Sequence, residues 1–266
     1  MYYCHCCRAI RALETPERHG RRLQVVNGQQ VDAAEYPFLV SLRNSNGAHT
    51  CGGTLITPHI VLTAAHCVTR PGRGVDDVDI LTLSVISSAN VQEKRFDSLI
   101  RIKESIIHPE FNQSAWYDYD IAILILDRNL TDAAPIGYGP LEKSQERELY
   151  IAGWGDLYFQ QNKLSDELME ARVSRIPQSI CQQWGESFLS YGEITDAMLC
   201  AGDLINGRDY CRGDSGGPLI ARKGPDAFLV AVNSWSVACG KSKFPGVYTS
   251  IAATKEWIDA VVSRPG

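Results

Sequence analysis

The sequence predicts an all-β chain of barrel or sandwich type that ends in one helix. Three observations carry this prediction. The apolar segments are short, turn residues punctuate them, and helical periodicity is clear only near the C-terminus.

In chain order, the segments Pro37–Leu42, Gly53–Thr57, Ile60–Ala64, Ile121–Leu126, Leu149–Ala152, Pro218–Ala221 and Phe228–Ser234 have strand length and apolar content. Asn44-Ser45-Asn46-Gly47 and Arg70-Pro71-Gly72 are turn signals between them. Asp127–Gln145, rich in Pro, Gly, Asn and Asp, reads as the linker between two halves. Gln178–Trp184 reads as a short helix. At the end, Ile251, Trp257, Ile258, Val261 and Val262 share one helical face, with Lys255, Glu256 and Asp259 on the solvent side.

Composition narrows the function classes. Of the 266 residues 44% are hydrophobic and 21% charged, which excludes a disordered chain, a collagen and a coiled coil. The longest clean apolar run, Ile121–Leu126, falls far short of the ~20 residues that span a bilayer. A net charge of −5 gives no basic surface for nucleic acid. Residues 1–24 differ, with five Arg and two Glu, and read as a leader or pro-segment. They contain no run of 7–15 apolar residues of the kind a secretory signal carries.

Nine cysteines divide into Cys4, Cys6 and Cys7 at the start and six dispersed ones, Cys51, Cys67, Cys181, Cys200, Cys211 and Cys239. The dispersed six favour disulfides and an oxidising, extracellular compartment over zinc, and their spacing leaves the pairing open. Cys4-His5-Cys6-Cys7 is too compact to wrap one tetrahedral ion. The sequons Asn112-Gln113-Ser114 and Asn129-Leu130-Thr131 agree with secretion.

Three segments carry chemistry. They are Leu62-Thr63-Ala64-Ala65-His66-Cys67, Asp118-Tyr119-Asp120-Ile121-Ala122-Ile123-Leu124 and Gly213-Asp214-Ser215-Gly216-Gly217-Pro218. In this order they resemble the trypsin/chymotrypsin-like serine proteases, from Val25-Val26-Asn27-Gly28 to the terminal helix. A serine hydroxyl is a weak nucleophile near neutral pH, so it needs a base, and the base needs a group that fixes its tautomer.

The resemblance implies that Ser215 attacks the scissile carbonyl, His66 moves the proton and Asp120 orients His66. It places the oxyanion donors on Gly213 and Ser215, and a further hydrogen bond to Asp120 on Ser234. His49 matches a family position that contacts the acid before the serine in the precursor. The implied fold is two six-stranded antiparallel β-barrels, about 25–135 and 136–250, followed by a helix at about 252–263.

The resemblance also pairs Cys51 with Cys67, Cys181 with Cys200 and Cys211 with Cys239. A further bridge found in many relatives would fall on Leu149 and Ala221, where an apolar contact is expected instead. Asp209, six residues before Ser215, implies selection of Arg or Lys, within a pocket that also involves Trp235 and Gly246. Tyr210 stands where a small residue is usual, and Ser236 and Ala238 stand where the family often has glycines. Activation would free the Val25 ammonium to pair with Asp214, although Gln24 precedes the cut and Arg21-Arg22 lies just upstream.

The expected protein is therefore a secreted, monomeric serine endopeptidase. It would act on protein or peptide substrates, meet protease inhibitors and use no cofactor or metal; residues 86–97 lack a spaced acidic set for calcium. The alternative is a non-catalytic protease homologue that binds or regulates partners.

Overall fold

The computed structural model describes residues 28–69, 84–87, 99–146, 148–156, 163–187, 193–223, 226–237, 239 and 244–264. Cys4, Cys6, Cys7, Val25 and Ala238 lie outside them, as do the segment 1–24 and most of 86–97.

A two-residue strand β1 (Gln29–Gln30) precedes the first barrel. That barrel is built from β2 (Leu39–Arg43), β3 (His49–Thr57), β4 (Ile60–Thr63), β5 (Ser84–Ser87), β6 (Ile100–Ile107) and β7 (Ala122–Leu126). Its closed order is β2-β3-β4-β7-β6-β5, every pairing antiparallel. Closure leaves no unpaired sheet edge. In β6, Ile100 and Ile102 point into the core while Arg101 and Lys103 stay outside, the two-residue period of a half-buried strand. β4 is buried throughout and β7 nearly so, and their apolar side chains belong to the cluster that extends from the first barrel to the second.

After the linker and the short β8 (Gly137–Tyr138) come β9 (Leu149–Gly153), β10 (Met169–Ile176), α1 (Gln178–Ser187), β11 (Met198–Gly202), β12 (Pro218–Lys223), β13 (Asp226–Trp235), β14 (Gly246–Ser250) and α2 (Ile251–Val262). The second barrel closes as β9-β10-β11-β14-β13-β12 and back to β9. β1 adds to β10, and β8 runs parallel to β13. The fold is thus two closed six-stranded antiparallel barrels and a C-terminal helix.

The helix buries Ile251, Thr254, Ile258 and Val261. Thr254 joins that face because its hydroxyl donates to the Ser250 carbonyl (3.0 Å). Trp257 is half-buried and packs edge-on against His108.

The apolar cluster of the first barrel extends across the seam to Ile220, Leu229 and Val232, while the second barrel holds a core of its own around Leu149, Ile151, Val173, Leu219 and Tyr248. A backbone bond crosses the seam, from Gly52 N–H to the Ser215 carbonyl (2.8 Å), and within the first barrel the Thr63 hydroxyl donates to the Gly52 carbonyl (2.8 Å). The approach is so close that a Cβ on Gly52 would lie 2.9 Å from Gly217 Cα.

The disulfides are Cys51–Cys67, Cys181–Cys200 and Cys211–Cys239. Leu149 and Ala221 are fully buried and directly opposed in the β9–β12 register, so an apolar pair occupies the place of the absent bridge.

Candidate active site

His66 sits on a single 3-10 turn (Ala65–Cys67) that follows β4, and Asp120 lies just before β7. Because β4 and β7 are paired, the barrel brings these two ends together. The His66 Nδ1–H donates to Asp120 Oδ2 (2.7 Å), and the His66 backbone N–H donates to Oδ1 (2.9 Å). The second barrel adds two bonds to the same residue. Ser234 Oγ donates to Asp120 Oδ2 (2.6 Å), and Thr249 Oγ1 donates to the Asp120 carbonyl (2.9 Å).

With Nδ1 committed to a carboxylate, the neutral imidazole keeps its lone pair on Nε2. Burial pushes the His66 pKa down, but the charge and hydrogen bond of Asp120 outweigh this and hold it above the usual histidine value.

Ser215 lies in the turn before β12 and lines, with His66, one cleft of about 360 Å³ between the barrels. No hydrogen bond joins the serine hydroxyl to the imidazole among the described residues. Uncomplexed active sites are commonly loose in this way.

Gly213 has φ +98, and a Cβ there would lie 2.6 Å from Leu164 Cδ2, so only glycine fits. Its carbonyl accepts from His49 Nε2 (2.8 Å), while His49 Nδ1 accepts from Ser41 Oγ (2.7 Å). Burial pushes His49 down to about 4, against the Gly213 carbonyl bond, with Arg43 lowering it further, so the ring is a neutral Nε2–H donor. It fixes the loop that carries Gly213 rather than handling protons.

Asp214 is buried and accepts from Gly155 N–H (2.7 Å) and Cys211 N–H (3.0 Å). Burial pushes it up to about 6 despite these two donors, with the Asp156 charge adding to the rise. Its expected partner Val25 lies outside the described residues.

The pocket residues divide. Tyr210, Ser234, Trp235 and Ser236 line the cleft. Asp209 and Gly246 do not. Asp209 is 1% exposed and accepts from Tyr210 N–H (2.9 Å) and Ser236 Oγ (3.3 Å). Burial holds its carboxyl well above the usual range, against those two bonds. A Cβ on Gly246 would meet the Tyr210 ring and the Asp209 carboxyl.

Three cleft residues were not anticipated from sequence. Tyr117 packs edge-on against His66 with centroids 5.4 Å apart. Arg212 lines the cleft and forms a two-bond pair with buried Asp156 (2.8 and 3.3 Å). Arg212 is only three residues before Ser215, and that proximity was the available signal; nothing local marks Tyr117 or Asp156. Asp118, the near neighbour of Asp120, bonds Thr195 and Ser114 and faces away from this chemistry.

Cys51, His66 and Cys67 place three metal-ligating atoms within 4.8 Å, but both sulfurs are spent in their disulfide, so no thiolate is there to hold an ion.

The family model described as Trypsin matches residues 25–258. The chain is 32% identical to Trypsin 5G1 of Aedes aegypti, over 90% of this chain and 85% of that protein. It is 32% identical to a vitellin-degrading protease of Bombyx mori, over 95% and 91% of the two chains. Against Trypsin zeta of Drosophila erecta the identity is again 32%, over 90% and 85%. A match over nearly all of both partners, on a fold of two closed barrels with this cleft at their seam, places the chain in the trypsin family of serine proteases.

Proposed function

We propose that the protein is a serine endopeptidase in which Ser215 is the nucleophile, His66 the general base and then acid, and Asp120 the group that fixes His66. The observation that carries this reading is the hydrogen-bonded unit His66–Asp120–Ser234 on the wall of the cleft that Ser215 also lines. Asp120 accepts three bonds from two barrels and holds the imidazole in one tautomer, so Nε2 is the atom that takes the Ser215 proton. The same nitrogen returns that proton to the leaving amine. The N–H groups of Gly213 and Ser215 receive the negative charge of the tetrahedral intermediate.

The Val25 ammonium, freed by cleavage after Gln24, pairs with Asp214. A buried carboxyl held near 6 without a cation is the half of such a pair that waits for its partner. Three disulfides support an oxidising, extracellular location. Asp209 supports a preference for Arg or Lys before the scissile bond, and Tyr210, which lines the cleft where Asp209 does not, opposes that preference.

A serine-directed phosphonylating reagent, applied to the chain processed to Val25, tests the reaction. It should modify Ser215 and abolish peptide hydrolysis, while Ser215→Ala should show neither labelling nor turnover. Unchanged hydrolysis by Ser215→Ala would reject the assignment, and a wild-type chain that neither labels nor cleaves would favour a binding protein.

A further inference from the structure

The Tyr210 phenol is anchored at the base of the pocket. Its single O–H is shared between the carbonyls of Trp235 (2.5 Å) and Val247 (2.7 Å), which lie on two different strands, β13 and β14. The ring edge packs against Tyr248 with centroids 5.1 Å apart. A Cβ built on Gly246 would lie 2.5 Å from Tyr210 Cε1 and 2.6 Å from Asp209 Oδ1. The ring and the carboxyl therefore crowd the same wall, and of the two residues Tyr210 lines the cleft and Asp209 does not.

We infer that Tyr210 closes the specificity pocket above Asp209, so that the enzyme selects short, uncharged side chains before the scissile bond and disfavours Arg and Lys. The inference rests on the serine-endopeptidase reading and sets its substrate class.

Two physical arguments agree. The first is steric: a long cationic side chain would have to displace a ring held by a shared hydrogen bond and an aromatic contact. The second is electrostatic. Asp209 has no cation beside it among the described residues, and burial favours its neutral form. A neutral carboxyl offers an entering guanidinium or ammonium no opposite charge to offset its lost hydration. Tyr210, Ser236 and the Cys211–Cys239 bridge line what remains open. A small aliphatic or hydroxyl-bearing side chain fills it and leaves no buried charge.

Two measurements separate this inference from the reaction on which it rests. The first is binding of benzamidine, a rigid aromatic cation, to Ser215→Ala, which needs no catalysis. Tyr210→Ser in that background should tighten binding roughly 100-fold, the size expected when a buried charge gains its partner. Adding Asp209→Ser should remove the gain. The second is the cleavage profile of unaltered, processed enzyme on peptides that differ only before the scissile bond. Ala, Ser or Val there should be cut at least about ten times more efficiently than Arg or Lys. This second reading needs no variant, so it stands if Tyr210→Ser fails to fold. Tight benzamidine binding by the Ser215→Ala protein with Tyr210 intact, or fastest cleavage after Arg or Lys, would overturn the inference. Absence of phosphonylation at Ser215 would overturn the peptidase reading and leave the benzamidine result to judge the pocket.

Discussion

Replacing Asp214 by Asn should remove a pH dependence of stability that this carboxyl imposes on the unprocessed chain. The side chain is 3% exposed and is held by two backbone donors from separate segments. Burial raises its pKa from 3.8 to about 6. A raised acid holds its proton more tightly in the folded chain than in the unfolded one. Its contribution to stability is therefore intact below pH 3.8, falls as pH rises, and is lost once pH has passed 6. The interval from 3.8 to about 6, at about 1.4 kcal/mol per pH unit, is worth about 3 kcal/mol. The assay is urea unfolding of Ser215→Ala protein, which cannot digest itself, with and without Asp214→Asn, at pH 4 and pH 7. The Asn amide would face one of the two donor N–H groups, a penalty that does not vary with pH and cancels in the comparison. From pH 4 to pH 7 the stability difference should move by about 3 kcal/mol in favour of Asn. In the chain processed to Val25 the sign should reverse, because an ammonium beside the carboxylate favours its charged form. Parallel pH profiles for Asp and Asn in the unprocessed chain would refute the reasoning.

Three other outcomes follow from the geometry. Because Asp120 holds His66 above its ordinary value, turnover should rise with pH through a midpoint above about 6.5, and Asp120→Asn should lower that midpoint; pH–rate profiles of the two enzymes decide. Gly52→Ala would press a Cβ against the backbone of Gly217, two residues after Ser215. It should cost roughly 2 kcal/mol in urea unfolding and lower kcat by about 10², through displacement of the Ser215 turn. The paired change Leu149→Cys with Ala221→Cys should form a disulfide without backbone movement, since residues directly opposed in an antiparallel pair have the required Cα spacing. Closing a loop of roughly 70 residues should separate oxidised from reduced protein by up to about 4 kcal/mol in thermal or urea unfolding.

Strand content was legible where the wall is buried on both sides. β4 and β7 read as uninterrupted apolar runs because neither face meets water. β6 and β10 were harder to see. Arg101, Lys103 and Glu104 interrupt the first, and Glu170, Arg172 and Arg175 the second, since half of each strand faces outward or into a polar network. Glu170 is buried and bonded to Tyr36 and Arg222, a long-range arrangement with no local sign in the sequence. The groups proposed for catalysis were legible for a different reason. His66, Asp120 and Ser215 each stand in a short segment whose neighbours have their own constraints, such as Gly213 with its positive φ and the disulfide partner Cys67.

The pocket was only half legible, and the cause is physical. Sequence places Asp209 and Tyr210 beside each other at its base but does not say which of them faces the cleft. That choice depends on acceptors far away in the chain, the carbonyls of Trp235 and Val247, which β13 and β14 bring within reach of one phenol. With the hydroxyl shared between them, the ring lies against Gly246 beside the Asp209 carboxyl. The groups that would break the bond and the groups that would choose it are therefore set by different levels of the structure. The first follow from strand ends that the barrel brings together, and the second from one aromatic side chain finding two distant acceptors. A change at residue 210 should accordingly alter which bond is cut while the His66–Asp120–Ser234 unit, which makes no hydrogen bond to Tyr210, keeps its geometry.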